Sequence, residues 1–173
     1  MQRIGLFLVA AVFLASAPAS AQFQSEIEAY ESGANALAAD QREVTQRAIN
    51  DATRALQAKD FAKARRYAAT VTRADPKRVE SWLLLGAAQQ GLGDWKAARV
   101  TYSKAVRISP VHPEARAGLG LAYARTGDPK AAGELAWLEA KVRECAGCWQ
   151  SGQLMKLRAD VEAAIRETPV KGS

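Results

Sequence analysis

The sequence holds a single histidine, His112, and only two cysteines, Cys145 and Cys148. That one imidazole is expected in a turn beside Pro110 and Pro113, where no plausible base and nucleophile pair can be assembled, and a zinc site would need further Cys or His ligands. An Asp/Glu-based hydrolytic centre remains the one hydrolase alternative. After residue 15 no apolar run approaches the roughly 20 residues that a membrane-spanning helix requires. Aromatic residues make up only 7% of the chain, and basic residues are spread along it rather than gathered into blocks. No basic stripe studded with aromatics exists, which argues against nucleic acid as a partner. No cysteine directly follows Ala21, which argues against a bacterial lipoprotein.

What is present begins with a leader. Arg3, the apolar run from Ile4 to Ala15 and then Ala19-Ser20-Ala21 are the three parts of a secretory signal peptide. Residues 1–21 are therefore expected to be removed by cleavage after Ala21, leaving Gln22 first; an uncleaved anchor is the competing reading. The expected location is the bacterial periplasm or the space beyond it, both oxidising. The 24 Lys and Arg against 18 Asp and Glu give a net charge of +6. Without Arg3 the balance is 23 against 18, or +5, which favours acidic partners or anionic surfaces only modestly.

With 173 residues, 49% of them hydrophobic, the chain is the size of one domain and has enough apolar material for a continuous core. Its strongest internal signal is self-similarity at a spacing of 34 residues. Asp60, Asp94 and Asp128 form one series, and Ala64, Ala98 and Ala132 another. Leu85 with Leu119, Gly86 with Gly120, Gly93 with Gly127 and Pro76 with Pro110 are pairs at the same spacing. Each Asp stands where a helix should begin and is predicted to be its N-cap. Gly86 and Gly120 are expected to let paired helices approach closely, because Gly otherwise costs a helix about 1 kcal/mol relative to Ala. Pro76 and Pro110 should end helices.

These residues resemble the tetratricopeptide repeat (TPR), with its W-x2-L-G-x2-Y first helix followed by A-x3-F and a late Pro. Residues 79–112 match best, through Trp82, Leu85, Gly86, Ala98, Tyr102 and Pro110, with Gln89 in place of the Tyr. Residues 113–146 keep Leu119, Gly120, Tyr123 and Ala132, but carry Arg116 for the Trp and Ala136 for the large aromatic. Residues 45–78 are a degenerate copy keeping Ala64 and Pro76. The resemblance implies an all-α, TPR-type helix-turn-helix solenoid, a right-handed superhelix. Residues 22–44 form an N-terminal linker or helix, with 25–40 helical and Gln22 to Gln24 irregular. Residues 147–173 provide a capping helix and tail, with Leu154, Leu157, Val161, Ala164 and Ile165 on one face. Trp82, Trp95, Tyr102, Tyr123 and Trp137 follow the helical repeat and should fill space between helices rather than form a ligand box.

Cys145-Ala146-Gly147-Cys148 precedes Trp149, which occupies the position where c-type haem attachment requires His. A thioredoxin-like centre needs a βαβ setting and a thiolate near a helix N-terminus. Cys145 is instead expected at a helix C-terminal end beside Glu144, so a structural disulfide between Cys145 and Cys148 is the favoured reading.

The TPR resemblance also implies a concave groove lined by the first helix of each repeat. Its register carries over to Ile49, Thr53, Leu56 and Gln57, then to Leu83, Ala87, Gln90 and Gly91, and then to Ala117, Leu121, Ala124 and Arg125. The set expected to bind a partner is Leu83, Ala87, Gln90, Ala117, Leu121 and Arg125. Leu83, Ala87, Ala117 and Leu121 replace the Lys and Asn of the family's two-carboxylate clamp, so an apolar or amphipathic segment is the expected ligand, with Gln90 and Arg125 as polar anchors. Alternatively, some of these positions are core or are covered by residues 25–40. The expected function is a non-enzymatic protein-interaction scaffold that needs no cofactor, binds a protein or peptide and leaves room for oligomerisation. The alternative is a thiol-disulfide or cytochrome c maturation accessory using Cys145 and Cys148.

Overall fold

Three turns at the same spacing organise the helices. The computed structural model describes residues 19–168. The leader expected over residues 1–21 therefore lies almost wholly outside the described residues, as do Val170 to Ser173. Among the described residues there are seven helices and no strand. They are α1 (Ala19–Gln57), α2 (Phe61–Ala74), α3 (Val79–Gly91), α4 (Trp95–Ile108), α5 (Pro113–Arg125), α6 (Ala131–Glu144) and α7 (Ser151–Glu167). The chain divides into two units, residues 1–41 and 42–173.

In the second unit, helices are paired through turns built on one plan. Lys59, Gly93 and Gly127 adopt positive φ values of 57°, 75° and 70°. The next N–H, from Asp60, Asp94 or Asp128, reaches back to the carbonyl of Ala55, Gln89 or Tyr123 at 2.8, 2.9 and 2.9 Å. The N–H groups of Lys59, Gly93 and Gly127 bond Leu56, Gln90 and Ala124 at 3.0 Å each. This pair of bonds is the Schellman helix end, which places one left-handed residue after the helix and satisfies its last carbonyls. Glycine adopts that conformation freely; Lys59 does so against its Cβ.

Asp60 and Asp94 then cap the following helices as predicted, accepting from Lys63 N–H at 3.0 Å and Ala97 N–H at 3.1 Å. Asp128 departs from that expectation. It accepts from Lys130 N–H at 3.0 Å, while α6 starts later with Lys130 at its N-cap position and no side-chain cap. Pro129 supplies no N–H, and the chain after it makes bonds over three residues, Ala131 to Asp128 and Ala132 to Pro129. The first turn is thus tightened before the α-helix proper begins.

Small residues set the distance between helices. Ala64, Ala68, Ala88, Ala98, Ala105, Ala115 and Ala122 are fully buried. A Cβ at Gly86 would come within 2.7 Å of the Tyr102 ring, and one at Gly118 would be closer still. Tyr102, 5% exposed, is therefore held between the backbones of α3 and α5. Burial pushes its phenol pKa well above the usual value, and the O–H donates to Gln90 Oε1 at 3.2 Å. Gly120 abuts Glu134 Cβ and Val161, so both glycines expected to allow close packing do so, and Gly118 adds a third. α7 packs on α5 and α6 and buries Leu154, Val161 and Ala164, covering the apolar end as a capping helix should.

The first unit contributes the beginning of α1. The helix runs unbroken through Gly33, and Gln22 to Gln24, expected to be irregular, lie inside it. Side chains from Phe23 to Gln41 are exposed.

Candidate partner-binding groove

The residues assigned to the groove fall into two groups. On α3, Leu83, Ala87 and Gln90 are half-buried. Leu83 rests on the cluster of Ala98, Tyr102, Leu119 and Ala122, and Gln90 is engaged by the Tyr102 phenol at 3.2 Å. On α5, Ala117 is 1% exposed and packs with Leu138 and Val161. Leu121 lies against that cluster and against the neighbouring one of Ala124, Ala131 and Ala164. Arg125 is exposed, but its guanidinium pairs with Glu167 Oε2 at 2.8 Å and sits 5.8 Å from the centre of the Trp95 ring. Ala117 and Arg125 are thus tied to α7, while Leu83, Ala87 and Leu121 stay half-buried.

The remaining positions of the carried-over register are mixed. Ile49 is 2% exposed and Ala124 3%, which makes both core. Thr53 donates to the Ile49 carbonyl at 2.9 Å, and Leu56 packs on Ala55, Ala64 and Ala88. Gln57 and Gly91 are exposed, with the Phe61 ring where a Gly91 side chain would stand. Sequence periodicity could not distinguish these cases, because a position on the first helix of a repeat is open or covered according to what the next helix places over it.

The aromatics behave as packing residues, and Trp82, Trp95, Tyr123 and Trp137 are each faced by a cation of the chain. Lys104 lies 4.6 Å from the centre of Trp82, Arg116 4.9 Å from Trp137 and Lys130 5.9 Å from Tyr123, distances at which the ring quadrupole attracts a cation. An equivalence invisible in the sequence also appears. Trp82 Nε1 donates to the Pro76 carbonyl at 2.9 Å, and 34 residues later Arg116 Nε donates to the Pro110 carbonyl at 2.9 Å. The Arg that replaces the family's Trp keeps its hydrogen bond, and it adds an ion pair to Glu134 at 3.1 Å.

Cys145 forms the C-cap of α6. Its Cα lies 5.2 Å from that of Cys148, within the span of a disulfide. His112 Nδ1 stands 2.9 Å from Glu114 Oε2; Glu114 also contacts Gln153 of α7. Among the described residues no group of three or more His, Cys, Asp or Glu side chains could hold a metal ion. None of their helices is long and apolar enough to cross a membrane. Sequence reasoning passed over one surface feature. Val111 and Trp149, 69% and 87% exposed, line a cleft of about 450 Å³ between the starts of α5 and α7.

A succession of helix pairs with left-handed turns at a fixed interval, small residues at the crossings and a covering terminal helix defines a helical-repeat solenoid. The family model described as "TPR repeat" matches residues 91–127, from the end of α3 to just past α5. The chain is similar to a crystal structure of the Yersinia enterocolitica type III secretion translocator chaperone SycD, in an alternative dimer. That match has a TM-score of 0.60 and 16% identity over 73% of this chain and 96% of the other. It is also similar to the TPR2B domain of yeast Sti1 in its complex with pHsp70, with a TM-score of 0.58 and 15% identity over 70% and 98% of the two chains. No curated protein sequence matches. The chain thus has the all-α fold of a tetratricopeptide-repeat solenoid, with a TPR repeat matched over residues 91–127.

Proposed function

We propose that this protein is a protein-binding scaffold of the periplasm or the secreted space, holding a polypeptide segment against Leu83, Ala87, Gln90, Ala117, Leu121 and Arg125. The observation that carries the reading is the surface of α3. Leu83 and Ala87, one helical turn apart, stay half-exposed, while Gln90 and Arg125 beside them are paired within the chain. Such a strip offers apolar contact and few free hydrogen-bonding groups, so it suits the apolar face of an amphipathic segment. The similarity to a translocator chaperone and to a TPR domain solved with pHsp70 supports a polypeptide ligand. The Cys145–Cys148 pair serves this scaffold as a structural disulfide that fixes the turn before α7.

The test is the double variant Leu83→Glu with Arg125→Glu, examined with a photo-crosslinking residue at Ala87 in the native envelope. The variant should keep its helical circular dichroism and lose its crosslinked partner; undiminished crosslinking would remove the groove from consideration. Terminal sequencing of the fractionated protein checks location: an N-terminus at Gln22 in the periplasm or medium is expected, and an intact Met1 in the cytoplasm would refute export.

A further inference from the structure

From the exposed first part of α1, we propose that a second copy of this chain pairs with it as an antiparallel coiled coil. The large apolar side chains there follow an alternating spacing of four and three residues. Phe23, Ile27, Tyr30, Leu37 and Val44 are 65, 42, 80, 69 and 51% exposed. Ala34, Gln41 and Ala48 fill the intervening places of the same frame. In heptad terms Ile27, Ala34, Gln41 and Ala48 are a positions, and Phe23, Tyr30, Leu37 and Val44 are d positions. A period of 3.5 is what a two-helix seam requires, and it is narrower than the face a helix turns to a globular core. A largely exposed helical segment draws most of its stability from packing of its apolar face, so the stripe calls for a partner helix.

Side-chain size and charge choose both the partner and its direction. With two copies antiparallel, Ile27 faces the second copy's Val44, Ala34 faces its Leu37, and Gln41 faces its Tyr30. Tyr30 and Leu37 at d then meet the polar Gln41 and the small Ala34 at a, Ile27 and Val44 form an apolar layer, and the twofold axis repeats every layer. The flanking g positions bring Glu26 against the second copy's Arg47, twice per dimer. Arg47 is exposed and its cis partner, Glu43, is exposed too, so the guanidinium is available for a second carboxylate. A parallel pair would instead stack alanine on alanine and tyrosine on tyrosine, and would set Glu26 against Glu31. The wider charge distribution agrees. Between Gln22 and Gln41 there are four carboxylates, Glu26, Glu28, Glu31 and Asp40, and no Lys or Arg. The rest of α1, Arg42 to Gln57, carries Arg42, Arg47 and Arg54 against Glu43 and Asp51. Antiparallel pairing lays the acidic end of one helix beside the basic stretch of the other; parallel pairing lays acid on acid.

The test is sedimentation of the full chain, purified after whatever N-terminal processing its own host applies, across a range of concentrations. A concentration-dependent dimer is expected. Leu37→Glu should convert it to monomer while the solenoid's melting transition stays in place, since Leu37 is exposed. Glu26→Arg should weaken the dimer about tenfold, by turning two attractive pairs into repulsive ones. Adding Arg47→Glu to Glu26→Arg should restore it. Leu83→Glu on α3 should leave dimerisation unchanged, which separates this surface from the proposed groove. A chain that stays monomeric at high concentration, a dimer indifferent to Leu37→Glu, or one strengthened by Glu26→Arg as parallel pairing demands, would each overturn the proposal.

Discussion

The repeat over residues 79–112 and the one over 113–146 share turn geometry and helix lengths, but they fill their interiors by different means. In the first, Tyr102 projects from the second helix and is gripped between Gly86 and Gly118, with Trp82 bonded to the preceding turn. In the second, the position equivalent to Tyr102 is Ala136, which is exposed. The core there is built by Leu138 and by Val161 of α7, while Arg116 takes over the bond to the turn. An interior repeat is thus packed by its own aromatic side chain against a glycine of its own and one of its neighbour's, whereas a terminal repeat is packed by the helix that covers it. A repeat signature can fade toward the end of a solenoid while the packing it stands for is maintained by other residues.

The largest effect should come from removing the aromatic that sets the interior repeat apart. Tyr102→Ala is expected to cost about 3–5 kcal/mol, as truncation of large buried aromatics does, whereas the exposed Ala136 tolerates substitution within about 0.5 kcal/mol. Denaturant unfolding of both variants tests the contrast, and similar losses would erase it. Next in size is the exchange that links the two repeats. Arg116→Ala gives up the bond to Pro110 and leaves the largely buried Glu134 carboxylate unpaired, at about 2 kcal/mol. Arg116→Trp should recover about half of that through the indole N–H, and equal melting temperatures for the two variants would show that the hydrogen bond is irrelevant.

The turn after each repeat extends the comparison. The turns before α3 and α5 each hold a proline and a side-chain bond to its carbonyl; the turn before α7 has neither and carries the cysteine pair instead. Replacing Cys145 and Cys148 with Ala should lower stability by up to about 2 kcal/mol, the loop-entropy value for so short a ring. Helix content should be retained, and the loss should vanish when wild type and variant are compared in reductant. A gain in insulin reductase activity on the wild-type side would instead make the pair catalytic. The smallest expected effect sharpens the family of left-handed turns. Lys59→Gly should stabilise by about 1 kcal/mol, because Lys59 alone among the three equivalent residues holds a positive φ with a Cβ. The same substitution at the exposed, right-handed Lys63 should destabilise by a similar amount.

Much of the fold was legible because it rests on short-range rules. Gly93 and Gly127 mark left-handed helix ends, Asp60 and Asp94 mark N-caps, and Ala64 and Ala98 mark helix crossings, whereas Ala132, the third of that series, is exposed on α6. The exceptions have local causes that were harder to weigh. After Pro129 the chain makes bonds over three residues before α6 begins, and Lys59 stands where the turn plan asks for glycine. The groove was less legible. Its positions could be counted off from the register, yet Ala117 is buried against Leu138 and Val161 while its counterpart one repeat earlier, Leu83, is partly open. The register is the same in both repeats and does not separate them. The seven-residue frame of α1 was also present in the sequence, but it becomes visible only once that stretch is known to be helical without interruption through Gly33.

The sequence by itself determined the period, the helix ends, the small residues at the crossings and hence the solenoid, because each depends on backbone sterics or hydrogen bonding within a few residues. Tertiary structure decided which apolar faces are occupied. α7 settles on α5 and α6, Tyr102 claims Gln90, Glu167 claims Arg125, and the stripe from Phe23 to Val44 is left exposed. Burial depends on what another part of the chain places across a surface, and no local pattern of residues carries that information.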